Sequence, residues 1–120
     1  MFLNYSNHPS YLWGENQIKE AKKYGDIVDV PFPQIPADFE EASVKKMAES
    51  EYERIKSLKP IVVLCQGEMT FCHNIVNRLT ENGITVVAAC SERVNTEKLL
   101  PDGRTVKQVV FEFVRFRKYF

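Results

Sequence analysis

The chain alternates between the apolar spacing of strands and that of helices. Continuous apolar runs at 61–65 and 84–90 are typical of strands that are covered on both faces. Shorter apolar runs at 2–5 and 27–30 predict two more strands. Apolar residues at helical spacing predict helices over 11–24, over a segment that starts near Asp38 and ends before Pro60, and between Thr70 and Gly83.

These elements follow one another as strand, helix, strand, helix, strand, helix, strand. Connections of this length join parallel neighbouring strands and place helices on the sheet faces. We therefore expect an α/β fold of one domain, residues 1–120. It is a Rossmann-like, mostly parallel sheet with helices on both faces.

The last quarter of the sequence departs from this alternation. Asp102-Gly103 is a strong turn signal, and residues 105–119 have the pattern of one long strand. The alternation of its apolar residues slips near Phe113, which predicts a β-bulge. We expect an antiparallel hairpin with the residues after Arg93. Asp38 and Glu41 also fit a capping box at the start of the second helix.

Composition and charge narrow the function classes. The chain has 120 residues, of which 44% are hydrophobic and 27% charged, and its formal net charge is zero. This composition excludes a disulfide scaffold and low-complexity disorder, and the balanced charge argues against binding of duplex DNA. The sequence has no apolar run near 18 residues and no leader pattern, so we expect a cytoplasmic protein without membrane contact. Three cysteines without a CxxC motif indicate reduced thiols.

Polar segments follow three of the predicted parallel strands, at 6–10, 66–70 and 91–93. Ligands of open α/β sheets bind beyond the carboxyl ends of the strands, so we expect these segments to converge on one site. In the second segment, Gly67 permits close approach of a ligand, and the amides that begin the next helix favour an anion. Gln66 and Thr70 flank this turn, and Glu68 is either a proton-transfer group or a helix-start carboxylate.

His8 is the best candidate for proton transfer because its reference pKa is near neutral. Its neighbours Ser6, Asn7 and Ser10 are hydrogen-bonding residues that suit either a ligand or a turn. Trp13 is a candidate for stacking on a base, although a single tryptophan more often belongs to the core. In the third segment Arg93 could hold a phosphate, with Ser91 and Glu92 beside it. Two distant histidines and scattered thiols predict neither a metal site nor a cofactor.

Several segments together resemble a known protein group. They are Ser-Asn-His-Pro-Ser with Trp13, Tyr-Gly-Asp-Ile running into Pro-Phe-Pro, Leu-Cys-Gln-Gly-Glu, and Ala-Cys-Ser-Glu-Arg. The sequence thereby resembles the small stand-alone CRISPR-associated proteins of type III systems, whose CARF-like group includes ring nucleases. The resemblance spans most of the chain.

The resemblance implies a homodimer that binds cyclic oligoadenylate, most often the four-membered ring, across its two-fold axis. It also implies metal-independent cleavage that ends the signal. From their position and chemistry, His8 or Glu68 is our hypothesis for the group that moves a proton in this reaction. Three alternatives remain open from the residues alone. They are a non-catalytic sensor or sequestering module, a nucleoside or nucleotide hydrolase with Glu68 as nucleophile, and an adaptor without a ligand.

Overall fold

The computed structural model describes residues 1–120 and consists of one five-stranded sheet with three α-helices. The strands are β1 (Phe2–Ser6), β2 (Ile27–Pro31), β3 (Val62–Gln66), β4 (Thr85–Leu99) and β5 (Thr105–Lys118). The helices are α1 (Glu15–Lys22), α2 (Glu41–Ser57) and α3 (Met69–Glu81), preceded by a short 3-10 turn at Ser10–Leu12. The sheet order is β2-β1-β3-β4-β5.

The first four strands are parallel and β5 runs antiparallel to β4, so the predicted α/β sheet with its final hairpin is confirmed. The chain moves from β1 outward to β2 and then crosses to β3 and β4 on the other side. Because such crossovers are right-handed, α1 covers one sheet face, and α2 and α3 cover the other.

Alternate residues of each strand supply the two cores. Phe2, Val62, Leu64 and Val87 pack with Trp13 and Ala21 on the α1 side. The other side chains of the same strands meet α2 and α3 in a larger core, which contains Leu3, Tyr5, Val63, Cys65, Val86, Ile55, Phe71 and Leu79. Both faces of β1 and β3 are therefore buried, which explains their unbroken apolar sequences.

The predicted helix over 11–24 is wrong in its first part. Trp13 and Gly14 have extended backbone, with ψ of 150° and 166°, so the 3-10 turn and α1 are separate elements. The capping box is also wrong, because Asp38 lies in a turn and α2 begins at Glu41 without a side-chain cap bond. The helix stops at Gly25 and Gly83 are confirmed by positive φ values of 117° and 77°.

β4 differs most from its prediction. It does not end at residues 91–93 but continues to Leu99, and it pairs with β5 from Val87 to Leu99. The predicted bulge is confirmed by a register shift, because Cys90 pairs with Arg115 and Ser91 pairs with Phe113. Beyond this shift the two strands leave the body of the protein as a ribbon, residues 91–114, which we call the arm.

The arm makes the molecule elongated. The Cα radius of gyration is 17.2 Å, whereas a compact chain of this length has a radius of about 14 Å. Almost all arm residues are exposed, including Phe111 at 69%. None of the helices combines the length and the apolar character that a bilayer crossing requires.

Candidate functional site

The sheet order reverses between β1 and β3, and this reversal positions a cleft. In open α/β sheets such a switch point leaves a crevice at the carboxyl ends of the strands, where ligands bind. Here a cleft of about 890 Å³, the α1 cleft, opens at this end on the α1 face. It is lined by His8, Leu12, Trp13, Gly14, Glu15, Asn16, Gln17, Leu64, Gln66, Ala89, Ser91, Phe111, Glu112 and Phe113.

A buried asparagine anchors the loop that carries His8. Asn4 is only 1% exposed, and its Nδ2 donates to the carbonyl of His8 at 2.9 Å and to Oδ1 of Asp29 at 2.8 Å. Its Oδ1 accepts from Oγ of Ser6 at 2.6 Å. Asn4 therefore uses its amide within the protein, which fixes the backbone of His8 while the His8 residue itself stays exposed at the cleft.

Trp13 fixes the same carbonyl from the other side. Its Nε1 donates to the His8 oxygen at 3.0 Å, and its ring lies edge-on to Phe2 with centroids 6.2 Å apart. Because Trp13 is 8% exposed, most of its ring belongs to the α1-side core. It contributes a wall to the cleft and holds the His8 loop in place.

The other polar residues of this loop have partners outside the cleft. Ser10 donates to Asp29 through its backbone N–H at 3.2 Å and through Oγ at 2.8 Å. Ser6 and Asn7 line a separate small cavity of about 200 Å³. These residues shape the loop, and only His8 of this segment reaches the α1 cleft.

The N-terminus of α1 opens into the cleft without a cap. Gly14 is the N-cap residue and provides no side-chain hydrogen bond, so the first amides of the helix lack intrahelical partners. Such amides attract an anion, although the carboxylate of Glu15 lies in the same turn. Gln17 also lines the cleft, and its amide has no hydrogen-bonding partner in the protein although the residue is only 8% exposed.

Gln66 extends the sheet at the floor of the cleft. Its Oε1 accepts from the backbone N–H of Ala89 at 2.9 Å, and its Nε2 lies 3.5 Å from the Ala89 carbonyl. The side chain thus bridges β3 and β4 beyond their last backbone pair, Leu64 with Val87. Gln66 holds the two strand ends together where the arm begins.

In the turn after β3, the residues that we expected to bind a ligand contact other groups of the protein instead. A Cβ atom on Gly67 would lie 2.4 Å from the ring of Phe32, the residue that follows β2. Because the Phe32 ring packs so closely against Gly67, only glycine fits at this position without a shift of the ring. Glu68 caps α3, since its carboxylate accepts from the N–H groups of Thr70 and Phe71 at 3.0 and 2.8 Å. Thr70 Oγ1 also donates to it, and these bonds lower the pKa of Glu68. The amides that we expected to hold an anion are therefore already partnered.

The third predicted polar segment, residues 91–93, lies at the base of the arm, next to the α1 cleft. Ser91 lines the cleft, and Arg93 lies on the same ribbon face, opposite Phe111. Glu92 pairs with Glu112 on the other face. The lining of the cleft contains no lysine or arginine, so Arg93 is its nearest candidate cation along the arm.

The structure thus brings His8, Trp13, Gln66 and Ser91 into one cleft. Sequence reasoning missed Asn4 and Gln17. A polar residue inside an apolar strand was the available signal for Asn4, whereas Gln17 resembles any surface residue of a short helix. Nowhere does the structure group three or more histidine, cysteine or carboxylate side chains in a way that could hold a metal ion.

A second cavity, of about 510 Å³, lies on the opposite sheet face beside α3. This α3 groove is lined by Gln66, Gly67, Met69, Cys72, His73, Val76, Asn77, Thr80, Tyr119 and Phe120. Gly67 therefore faces a different cavity from His8. Cys72 and His73, which are adjacent in the sequence, both line this groove.

Comparison with known proteins places the chain in one family. A sequence model described as the uncharacterized protein MJ1673 family matches residues 1–117, and the chain therefore belongs to this family. No curated protein matches the chain. No solved structure matches it either.

Proposed function

We propose that this protein binds a cyclic oligoadenylate in the α1 cleft and cleaves it to linear products by means of its own side chains. One observation carries the proposal. Two hydrogen bonds to its carbonyl hold the backbone of His8, and this exposed residue lies in the same cleft as the uncapped start of α1 and the unpartnered amide of Gln17. The cleft therefore combines a proton-transfer group with sites for an anion and a base.

The lining suits the parts of an adenosine phosphate. An amide side chain such as Gln17 can bond the N6 and N7 edge of adenine with both of its polar atoms. The exposed ring of Phe111 offers a stacking surface at the cleft wall. The free N–H groups at the start of α1 can donate hydrogen bonds to a phosphate oxygen, and Arg93 can approach the same phosphate from the arm.

The proposed reaction is transesterification within the ligand. A ribose 2′-hydroxyl attacks the adjacent phosphorus in line with the departing 5′-oxygen, which leaves a 2′,3′-cyclic phosphate and a 5′-hydroxyl. His8 accepts the proton of the 2′-hydroxyl, and water or the returned proton neutralises the 5′-oxygen. Holding the groups in line can supply about 7–11 kcal/mol of the barrier. Glu68, whose oxygens are partnered, is assigned to helix capping in this scheme.

The ligand ring would lie between two copies of the chain. A symmetric ring matches an interface made of identical surfaces related by a two-fold axis. The arm offers such a surface, because β5 is the edge strand of the sheet and apolar side chains of the arm are exposed. Edge strands of this kind are open to pairing with another chain. A dimer would also bring a second Arg93 toward the ligand.

Chromatography of cyclic tetra-adenylate incubated with excess protein and a chelator tests the proposal. We expect wild-type protein to yield linear products that end in a 2′,3′-cyclic phosphate. His8→Ala should reduce the single-turnover rate about 100-fold or more, since general acid–base groups contribute factors of this size. The matched control is His73→Ala, which changes the other histidine, in the α3 groove, and should leave the rate unchanged.

Other outcomes would identify the alternatives. Tight binding with intact ligand would reveal a sensor or sequestering module. Release of free adenine would indicate a nucleoside or nucleotide hydrolase. If the protein neither bound nor cleaved the ligand, that result would contradict the proposal.

A further inference from the structure

Two cysteine side chains touch each other beneath the α3 groove. Cys65 lies near the end of β3 and is fully buried, and Cys72 lies in the first part of α3. Their Sγ atoms are 3.6 Å apart and are not bonded to each other. The fold therefore places in contact two thiols that are seven positions apart in the sequence.

Only one of the two thiols has a route to solvent. Cys72 lines the α3 groove, whereas Cys65 has no exposed surface. Tyr119 closes the far side of the pair, because its hydroxyl donates to the Cys65 carbonyl at 2.9 Å and lies 3.8 Å from Cys72 Sγ. A small reagent in the groove can thus reach Cys72 first, with Cys65 directly behind it.

The surroundings favour the thiolate of Cys72. Hydrogen bonding from the Cys65 thiol is the main cause, with Tyr119 and the Gly67 amide adding to it, and together they lower the pKa of Cys72 to about 7. Burial of Cys72 and the nearby charge of Glu68 oppose this shift. His73 is the other titratable group of the groove lining near this cysteine. The attacking form of the thiol is therefore present near neutral pH.

We propose that Cys72 is a site of oxidation by hydroperoxides and that Cys65 converts the product into an intramolecular disulfide. The Cys72 thiolate attacks the terminal peroxide oxygen and the O–O bond breaks, giving a sulfenic acid. The leaving group is hydroxide from hydrogen peroxide or an alkoxide from an organic hydroperoxide. The Cys65 thiol then attacks that sulfur, the S–O bond breaks, and water leaves. Two thiols are oxidised and one peroxide is reduced, so electrons and atoms balance.

The second step needs a short movement. A disulfide bond is about 2.05 Å long, so the two sulfur atoms must approach by roughly 1.5 Å. β3 is hydrogen-bonded to β1 on one side and to β4 on the other, so Cys65 is held in place. The movement that brings the sulfur atoms together is therefore made by the start of α3 and the Cys72 side chain. The proposal is independent of any nucleotide in the α1 cleft, because the thiol pair lies on the other sheet face.

Intact-protein mass spectrometry tests this inference on Cys90→Ser, a variant that keeps the pair and removes the third cysteine. Treatment with hydrogen peroxide should lower the mass by about 2 Da, the two thiol hydrogens, and dithiothreitol should restore it. Peptide mapping should find a link between Cys65 and Cys72. The rate should rise with pH through about 7.

Single variants separate the two roles. Cys65→Ser should accumulate oxidised Cys72 without the mass loss, and Cys72→Ser should react at least tenfold more slowly. In wild-type protein, a disulfide that involves Cys90 or joins two chains would overturn the proposal. In the Cys90→Ser variant, a stable sulfenic or sulfinic acid at Cys72 would also overturn the proposal. The absence of any reaction of this variant with peroxide would do the same. These readouts use the folded chain and do not depend on nucleotide binding.

Discussion

Gly67 shows how a residue can look functional while its role is in packing. Replacing it with alanine puts a Cβ atom 2.4 Å from the Phe32 ring, so the ring must move. We expect Gly67→Ala to lower the free energy of unfolding by about 1–3 kcal/mol, the usual cost of overpacking. Urea unfolding followed by circular dichroism measures this difference.

The control for this substitution is Gly14→Ala, because no heavy atom lies within 4 Å of the new Cβ position there. In a Phe32→Ala background the cost of Gly67→Ala should largely disappear, since the clash is removed. An equal cost in both backgrounds would show that the Phe32 contact is not its cause.

Glu68 gives the start of α3 a pH dependence. Its hydrogen bonds to Thr70 and Phe71 lower its pKa in the folded state below the ordinary value of 4.5. Its stabilising effect is therefore complete at neutral pH and is lost as the pH falls below that value. We expect Glu68→Gln to lower the melting temperature at pH 7 and the difference from wild type to shrink toward pH 3.

Thermal unfolding of wild type and Glu68→Gln at pH 7 and at pH 3 measures these melting temperatures. Glu53→Gln is a suitable control because Glu53 is exposed within α2, away from any helix start. A constant difference between wild type and Glu68→Gln across the pH range would contradict the capping role.

At the level of single residues, sequence reasoning found the side chains whose chemistry is unusual. His8, Trp13, Gln66 and Ser91 were predicted and do line one cleft. The partnering of Glu68 with its own helix was left open, because a carboxylate at a helix start serves capping and catalysis equally well in sequence. Gln17 was missed because a glutamine in a short, mostly polar helix gives no sign in the sequence that it is only 8% exposed.

At the level of elements, apolar periodicity predicted all five strands and the sheet's antiparallel end. Apolar periodicity gave wrong element boundaries where backbone geometry, rather than burial of side chains, determines where an element begins or ends. Gly14 breaks the first predicted helix, and nothing in the apolar spacing distinguishes a 3-10 turn followed by a helix from one continuous helix. The hairpin with the residues after Arg93 was predicted, but its continuity with β4 through residues 91–93 was missed, because these exposed polar residues resemble a loop.

The arm also leads to a prediction about elements. Replacing residues 96–108 with Asn-Gly keeps Asn95 opposite Val109 and closes the ribbon with a two-residue turn. We expect the melting temperature to change by only a few degrees, because the excised residues are almost all exposed. Failure of this variant to fold would show that the arm stabilises the body of the protein.

At the level of the whole molecule, the same variant tests the proposed assembly. Light scattering coupled to size exclusion should give twice the 13.9 kDa chain mass for the wild type. The shortened variant should dimerise more weakly, because it loses the tip of the arm with the exposed Leu99 and Val106 and leaves less of the β5 edge to pair. A wild-type mass of one chain at micromolar concentration would contradict the dimer, and an equally strong dimer in the shortened variant would exclude the tip of the arm, residues 96–108, as its interface.

The central claim is that the α1 cleft, and not the α3 groove, holds the ligand. Titration calorimetry of cyclic tetra-adenylate in the presence of a chelator, with Gln17→Leu and Asn77→Leu as matched amide replacements in the two cavities, tests it most directly. We expect wild type and Asn77→Leu to bind alike and Gln17→Leu to bind at least tenfold more weakly. Unchanged binding by Gln17→Leu, or loss of binding by Asn77→Leu, would contradict the account.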